Sequence, residues 1–152
     1  MKFNKDFRPR LKGNTKAAFD YFTKKERRIL VIGDIHAPFV LDGYLEFCQE
    51  TYAKHNCNQV IFIGDILDNH YSSFHHTDPN GMGGGQELEY AIKDVEKWNV
   101  AFPVADVLIG NHDRMIMRKA FDSDVPKQWI KSYNEVLGTN WNWIERIVYD
   151  NV

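Results

Sequence analysis

Three short apolar runs, Ile29–Ile32, Val60–Ile63 and Val104–Ile109, are rich in Val and Ile, and each runs into a glycine followed by polar residues: Gly33-Asp34, Gly64-Asp65 and Gly110-Asn111. Runs this short and this β-branched read as strands buried on both faces. Helical patterns separate them. Apolar Tyr44, Leu45, Phe47, Cys48 and Tyr52 recur at helical spacing within Asp42–Asn56, with Asp42 as N-cap. Leu88, Ala91, Ile92, Val95 and Trp98 form a second stripe within Gln86–Trp98. A third helix is predicted from His112 to Phe121, and a fourth from Pro126 to Val136, ended by Gly138. Ile144–Tyr149 reads as a last strand. Alternating strands and helices spell an α/β sheet, in which ligands collect at the carboxyl ends of the strands. The three glycine-linked polar clusters fall there.

The rest of the chain constrains less. Of 152 residues, 43% are hydrophobic and 26% charged, enough apolar material for a core and too much for a disordered chain. Residues 1–28 hold ten Lys or Arg against three Asp or Glu, a charge of +7, while 29–152 carry nine against eighteen, or −9. This divides the chain into a basic N-terminal arm, 1–28, with amphipathic helical character around Ala17–Phe22, and one domain, 29–152. The arm reads as a solvated surface, with contact to nucleic acid as the alternative. Cys48 and Cys57 show no zinc-type pairing and no disulfide framework. No apolar run reaches the roughly 20 residues of a membrane span, and the N-terminus lacks a signal-peptide core. The expectation is a cytoplasmic protein without a membrane partner. Thr77–Gln86, with its Gly83-Gly84-Gly85 run, reads as a flexible connector and not as a phosphate-cradling loop, since no Gly-Lys-Ser/Thr follows.

The chemistry lies in the clusters. Asp34 and His36 alternate along an extended turn, so both side chains can point one way, and a carboxylate with an imidazole suits Mn, Fe, Zn or Ni. Asp65 has two oxygens to share between ions, and Asn111 offers a neutral oxygen. Taken singly, each of these residues reads as a cap, a turn residue or a satisfied polar group. Together, at successive strand ends, they read as a metal site.

D-x-H, G-D-x-x-D and G-N-H-D over Ile29–Asp113 resemble the calcineurin-like metallophosphoesterase superfamily in order and approximate spacing. Gly64–His76 looks like the phosphoesterases carried by bacteriophages. The resemblance implies part of an α/β/β/α layered sandwich and hydrolysis of phosphate esters by two divalent ions, Mn first, with Fe, Zn or Ni as alternatives, acting through a metal-bridging hydroxide. It implies that Asp34 and His36 hold the first ion, that Asp65 bridges, and that Asn111 holds the second. It places His112 beside the scissile phosphate, with Asp113 orienting it. Asp68, Arg114, His70 and His75 would act from behind the ligands or on substrate.

The match is incomplete. The family pattern adds a histidine and a G-H-x-H pair beyond G-N-H-D, yet of the six histidines none follows His112. The expectation is a domain lacking its C-terminal portion, weakly stable, prone to associate and of low activity unless a complementing C-terminal chain supplies the ligands. A non-catalytic fragment or nucleic-acid-binding module on the same fold is the alternative.

Overall fold

The computed structural model describes residues 27–73, 76 and 78–148. The basic arm up to residue 26, the Ala17–Phe22 segment, His75 and Thr77 lie outside these residues. Strands β1 (Ile29–Ile32), β2 (Gln59–Phe62), β3 (Asp106–Leu108) and β4 (Asn142–Ile144) form one sheet in the order β1-β2-β3-β4, with all three pairings parallel. Helices α1 (Tyr44–Lys54), α2 (Gly84–Ala101), α3 (Met115–Asp122) and α4 (Tyr133–Leu137) lie in the crossovers, joined by short 3-10 turns at His70–Ser72 and Lys127–Trp129. This is the expected α/β arrangement. Among the described residues it comprises a single sheet, and the second sheet of a four-layer sandwich is not found.

The pairing register explains the core. Ile32, Phe62, Val107 and Trp143 stand in one row across the sheet, because Ile32 pairs with Phe62, Phe62 with Val107 and Val107 with Trp143. With Leu30 and Val60 this face joins Cys48 of α1, Ala91, Val95 and Trp98 of α2 and Leu137 of α4 in one hydrophobic cluster. Phe62 is at its centre, 0% exposed, with its ring 4.8 Å from Trp141 and 6.0 Å from Trp98. The opposite row begins apolar and turns polar. Val31 is 56% exposed, while further across the sheet Asp106 accepts from Gln59 (3.2 Å) and Asn142 (2.7 Å).

Several boundaries move for local reasons. α1 begins at Tyr44 with Gly43 (φ 77°) at the N-cap position, so Asp42 does not cap it. α2 begins within the glycine run, at Gly84. α3 starts at Met115 because residues 111–114 form a turn that delivers Asp113 to the neighbouring loop. The helix predicted over Pro126–Val136 is broken in two. Ser132 accepts from Glu135 N and Glu135 reaches back to Ser132 N, a capping box that starts α4 afresh. Gly138 ends it in the left-handed region (φ 66°), as expected. β4 pairs two residues earlier than predicted, because Asp106 to Leu108 align with Asn142 to Ile144.

Replacing Phe62 by Ala removes the ring that Trp98, Phe102 and Trp141 share. The expected loss is about 3–5 kcal/mol, read from denaturant unfolding. A loss below about 1 kcal/mol would show that this cluster is not the core that orders the sheet.

Candidate metal centre

The turns that follow β1 and β2 run on together past the strand ends. His36 N donates to Asp65 O (2.9 Å), Ala37 N to Ile66 O (2.9 Å) and Asp68 N to Ala37 O (3.0 Å), with Ala37 and Leu67 forming a parallel bridge. This zipper sets His36 beside Asp65 and Asp68. The backbone there is forced: Asp34 (φ 33°), His36 (φ 50°), Asp65 (φ 51°) and Asn69 (φ 50°) all hold positive φ without being glycine. Such residues are uncommon, and they gather at sites where surrounding bonds over-determine the chain.

Glycines bring in the third turn. A Cβ on Gly64 would stand 2.8 Å from the backbone of Gly110, and one on Gly110 would stand 2.1 Å from an Asp65 carboxylate oxygen. Only glycine at both places lets the turns after β2 and β3 touch. The contact is then bonded: His112 N donates to Asp65 Oδ1 (2.9 Å).

His36, Asp65 and His112 thereby come together, one ligand atom from each lying within 4.8 Å of the others. The two rings meet edge to face at 4.6 Å. Asp68 holds both. His36 Nδ1 lies 2.8 Å from Asp68 Oδ1, and His112 Nδ1 lies 2.6 Å from the Asp68 carbonyl oxygen. A carbonyl can only accept, so Nδ1 of His112 carries the hydrogen, and the carboxylate selects the same tautomer for His36. Nε2 of each ring is left with its lone pair. Imidazoles held through Nδ1 by a carboxylate or carbonyl are the usual second-layer support of metal ligands. The His36 imidazole with the Asp65 carboxylate suits a borderline divalent cation such as Zn, Fe or Mn, and the His112 ring stands beside them.

The remaining sequence candidates separate. Asp34 and Asn111 are exposed on the turns after β1 and β3, and the Asp34 carboxylate is not part of the three-residue group. His70 is exposed and its backbone N–H, not its ring, is engaged. Arg114 pairs with Glu145 and also donates to Ile109 O (3.4 Å), so its guanidinium is turned toward β4. A cavity of 810 Å³ adjoins the centre at Asn69, Asp113 and Arg114, with apolar walls from Leu67, Ile109, Met117 and Trp143. None of His36, Asp65 or His112 lines it.

The expected pairing of Asp113 with His112 is corrected. Asp113 is 1% exposed and its carboxylate accepts from Asp65 N (2.9 Å), Leu67 N (3.1 Å) and Gly110 N (2.9 Å). Its oxygens are used on backbone, and Asp68 takes the place beside His112. Burial pushes the Asp113 carboxyl above the ordinary carboxylate range, against the pull of the three N–H donors. Its own carbonyl accepts from Tyr133 Oη at 2.9 Å, and burial raises that phenol to about 12, which keeps it a donor. Sequence reasoning also missed Glu87, whose buried carboxylate holds the loop after β2. A charged residue in the first turn of an apolar helical stripe was its only sequence signal.

The family model for calcineurin-like phosphoesterases matches residues 27–150. The chain belongs to this family. No match is found among curated proteins or solved structures. In this member of the family, the three turns that carry D-x-H, G-D-x-x-D and G-N-H-D are the ones that bring His36, Asp65 and His112 together. Among the described residues no helix is long and apolar enough to cross a membrane.

If Asp113 holds backbone rather than His112, its replacement by Asn is first a stability change. One acceptor oxygen is replaced by an amide that faces N–H groups, and the expected loss is about 1–3 kcal/mol in denaturant unfolding. Unchanged stability with turnover alone impaired would put Asp113 on His112 after all.

Proposed function

We propose that this phosphoesterase hydrolyses phosphate esters at a two-ion centre, with Mn as the first choice of metal. The observation that carries the reading is the convergence of His36, Asp65 and His112 at the strand ends, with Nδ1 of both rings tied back to Asp68. His36 and Asp65 would hold the first ion together with Asp34, whose strained turn (φ 33°) sets it two residues before His36. Asp65 would be shared with a second ion, which Asn111 would also bind. When bound, a pair of divalent cations polarises the phosphoryl oxygens and lowers the pKa of the attacking water.

The protein's own groups supply the rest. Asp68 fixes both rings, and Asn69 Nδ2 donates to the His112 carbonyl (2.9 Å), so the His112 ring approaches the phosphoryl group with only Nε2 free. Once protonated, that nitrogen is the one from which the ring hands a proton to the leaving oxygen, since Nδ1–H remains on the Asp68 carbonyl. Asp65 keeps one oxygen on His112 N, so the carboxylate that binds metal also fixes the turn that carries the acid. No side-chain nucleophile is required. The substrate is a phosphate ester, with nucleic acid among the candidates because of the +7 arm over residues 1–28.

Hydrolysis of a chromogenic phosphodiester should stop in chelator and return with Mn²⁺. Replacing His112 by Ala should lower turnover at least about 100-fold, the lower end of general acid–base contributions, while metal stoichiometry is kept. Replacing Asp65 by Asn should reduce the binding of both ions. Equal loss of metal and turnover in the His112 variant would make that ring a ligand, and hydrolysis indifferent to chelator would end the metal reading.

A further inference from the structure

Glu87 sits in the first turn of α2, is 5% exposed, and has no place in the hydrolytic chemistry. Its two carboxylate oxygens divide a pair of consecutive amides between them. Oε1 accepts from His70 N (2.7 Å) and Oε2 from Tyr71 N (2.9 Å). A buried carboxylate is an expensive group unless its partners are charge-complementary and fixed. Here the partners are two N–H dipoles, and the carboxylate also lies at the positive end of an 18-residue helix. An amide side chain could not take its place without turning an NH2 toward one of these donors.

The segment so gripped follows directly on the residues that hold the two imidazoles. Asp68 binds His36 Nδ1 with its carboxylate and His112 Nδ1 with its carbonyl, and Asn69 binds the His112 carbonyl. Asn69 stands at φ 50°, a conformation that needs support from outside the residue. Support comes from the 3-10 turn His70–Ser72, which begins immediately after it. That turn lies against the helix end at Gly84, where a Cβ would come within 2.7 Å of the Tyr71 ring. Gly84 therefore allows the close approach that Glu87 then locks.

We propose that Glu87 is a positioning residue for metal binding: its carboxylate clamps the His70–Tyr71 backbone and so holds Asp68 and Asn69 where they orient His36, a ligand of the first ion, and His112 beside it. The inference rests on the metal reading of His36, Asp65 and His112. By linkage, a clamp that aids metal binding must itself be strengthened by metal to the same degree.

The test is Mn²⁺ titration of the full chain and of its Glu87→Gln variant by calorimetry, at a temperature where both are folded. The expected result is an affinity about tenfold weaker in the variant, the scale of lost support behind metal ligands. A variant that melts earlier yet binds Mn²⁺ as tightly as the parent would overturn the proposal and leave Glu87 a packing residue. Should the variant fail to fold, amide exchange of His70 and Tyr71 in the unaltered protein decides. Exchange slowed about tenfold by Mn²⁺ supports the clamp, and rates indifferent to Mn²⁺ overturn it. A parent protein that binds no Mn²⁺ would sink the metal reading itself, an outcome distinct from equal binding by parent and variant.

Discussion

The Asp113 carboxylate, 1% exposed, accepts the N–H groups of Asp65, Leu67 and Gly110 and so ties the turn after β2 to the turn after β3. The approach of Gly64 to Gly110 is held further by His112 N on Asp65 Oδ1 and Asn69 Nδ2 on the His112 carbonyl, so the imidazole on the third turn faces the one on the first. A carboxylate can make the Asp113 tie because its two oxygens offer more acceptor sites than an amide or a hydroxyl. The buried charge is costly, and its raised pKa reflects that. Three short backbone bonds offset part of the cost.

A second carboxylate, Asp68, converts this frame into a donor set. It is partly buried and meets His36 through its side chain and His112 through its backbone, so a single residue fixes the tautomer of both rings. Glu87 then stands to the Asp68–Asn69 loop much as Asp113 stands to the Asp65–Leu67 turn. In each case a buried acid collects consecutive or nearby N–H groups of a turn whose positive φ the turn would not hold unaided. His70 and His76 are both exposed, and it is the His70 backbone, not its ring, that Glu87 holds.

The strands and the three polar turns were legible because each is local: a β-branched run, a glycine, then ligand-type residues within a few positions. Gly138 ended its helix as read, since a helix stop is also a local signal. What escaped depends on residues far apart in sequence. Asp113 meets Asp65 across 48 positions, and no pattern around Asn111 distinguishes an acid that orients His112 from one that gathers backbone amides. Glu87 meets His70 across 17 positions. Gly84 was read as part of a flexible connector, although it is a packing requirement against Tyr71 and the first residue of α2. The second layer of sheet implied by the family resemblance has no counterpart among the described residues, where Val31 of β1 stays 56% exposed.

The central claim is that Asp68 holds Nδ1 of both His36 and His112, leaving His36 Nε2 free toward the ion beside Asp65 and His112 Nε2 free for the substrate. Imidazole ¹⁵N spectra of the protein titrated with diamagnetic Zn²⁺ test it most directly. The account predicts that both rings carry hydrogen on Nδ1 before and after titration, and that Zn²⁺ coordinates Nε2 of His36 but not of His112, while the resonances of His55, His70 and His76 are unchanged. A response at Nδ1, or one confined to the exposed histidines, would contradict it.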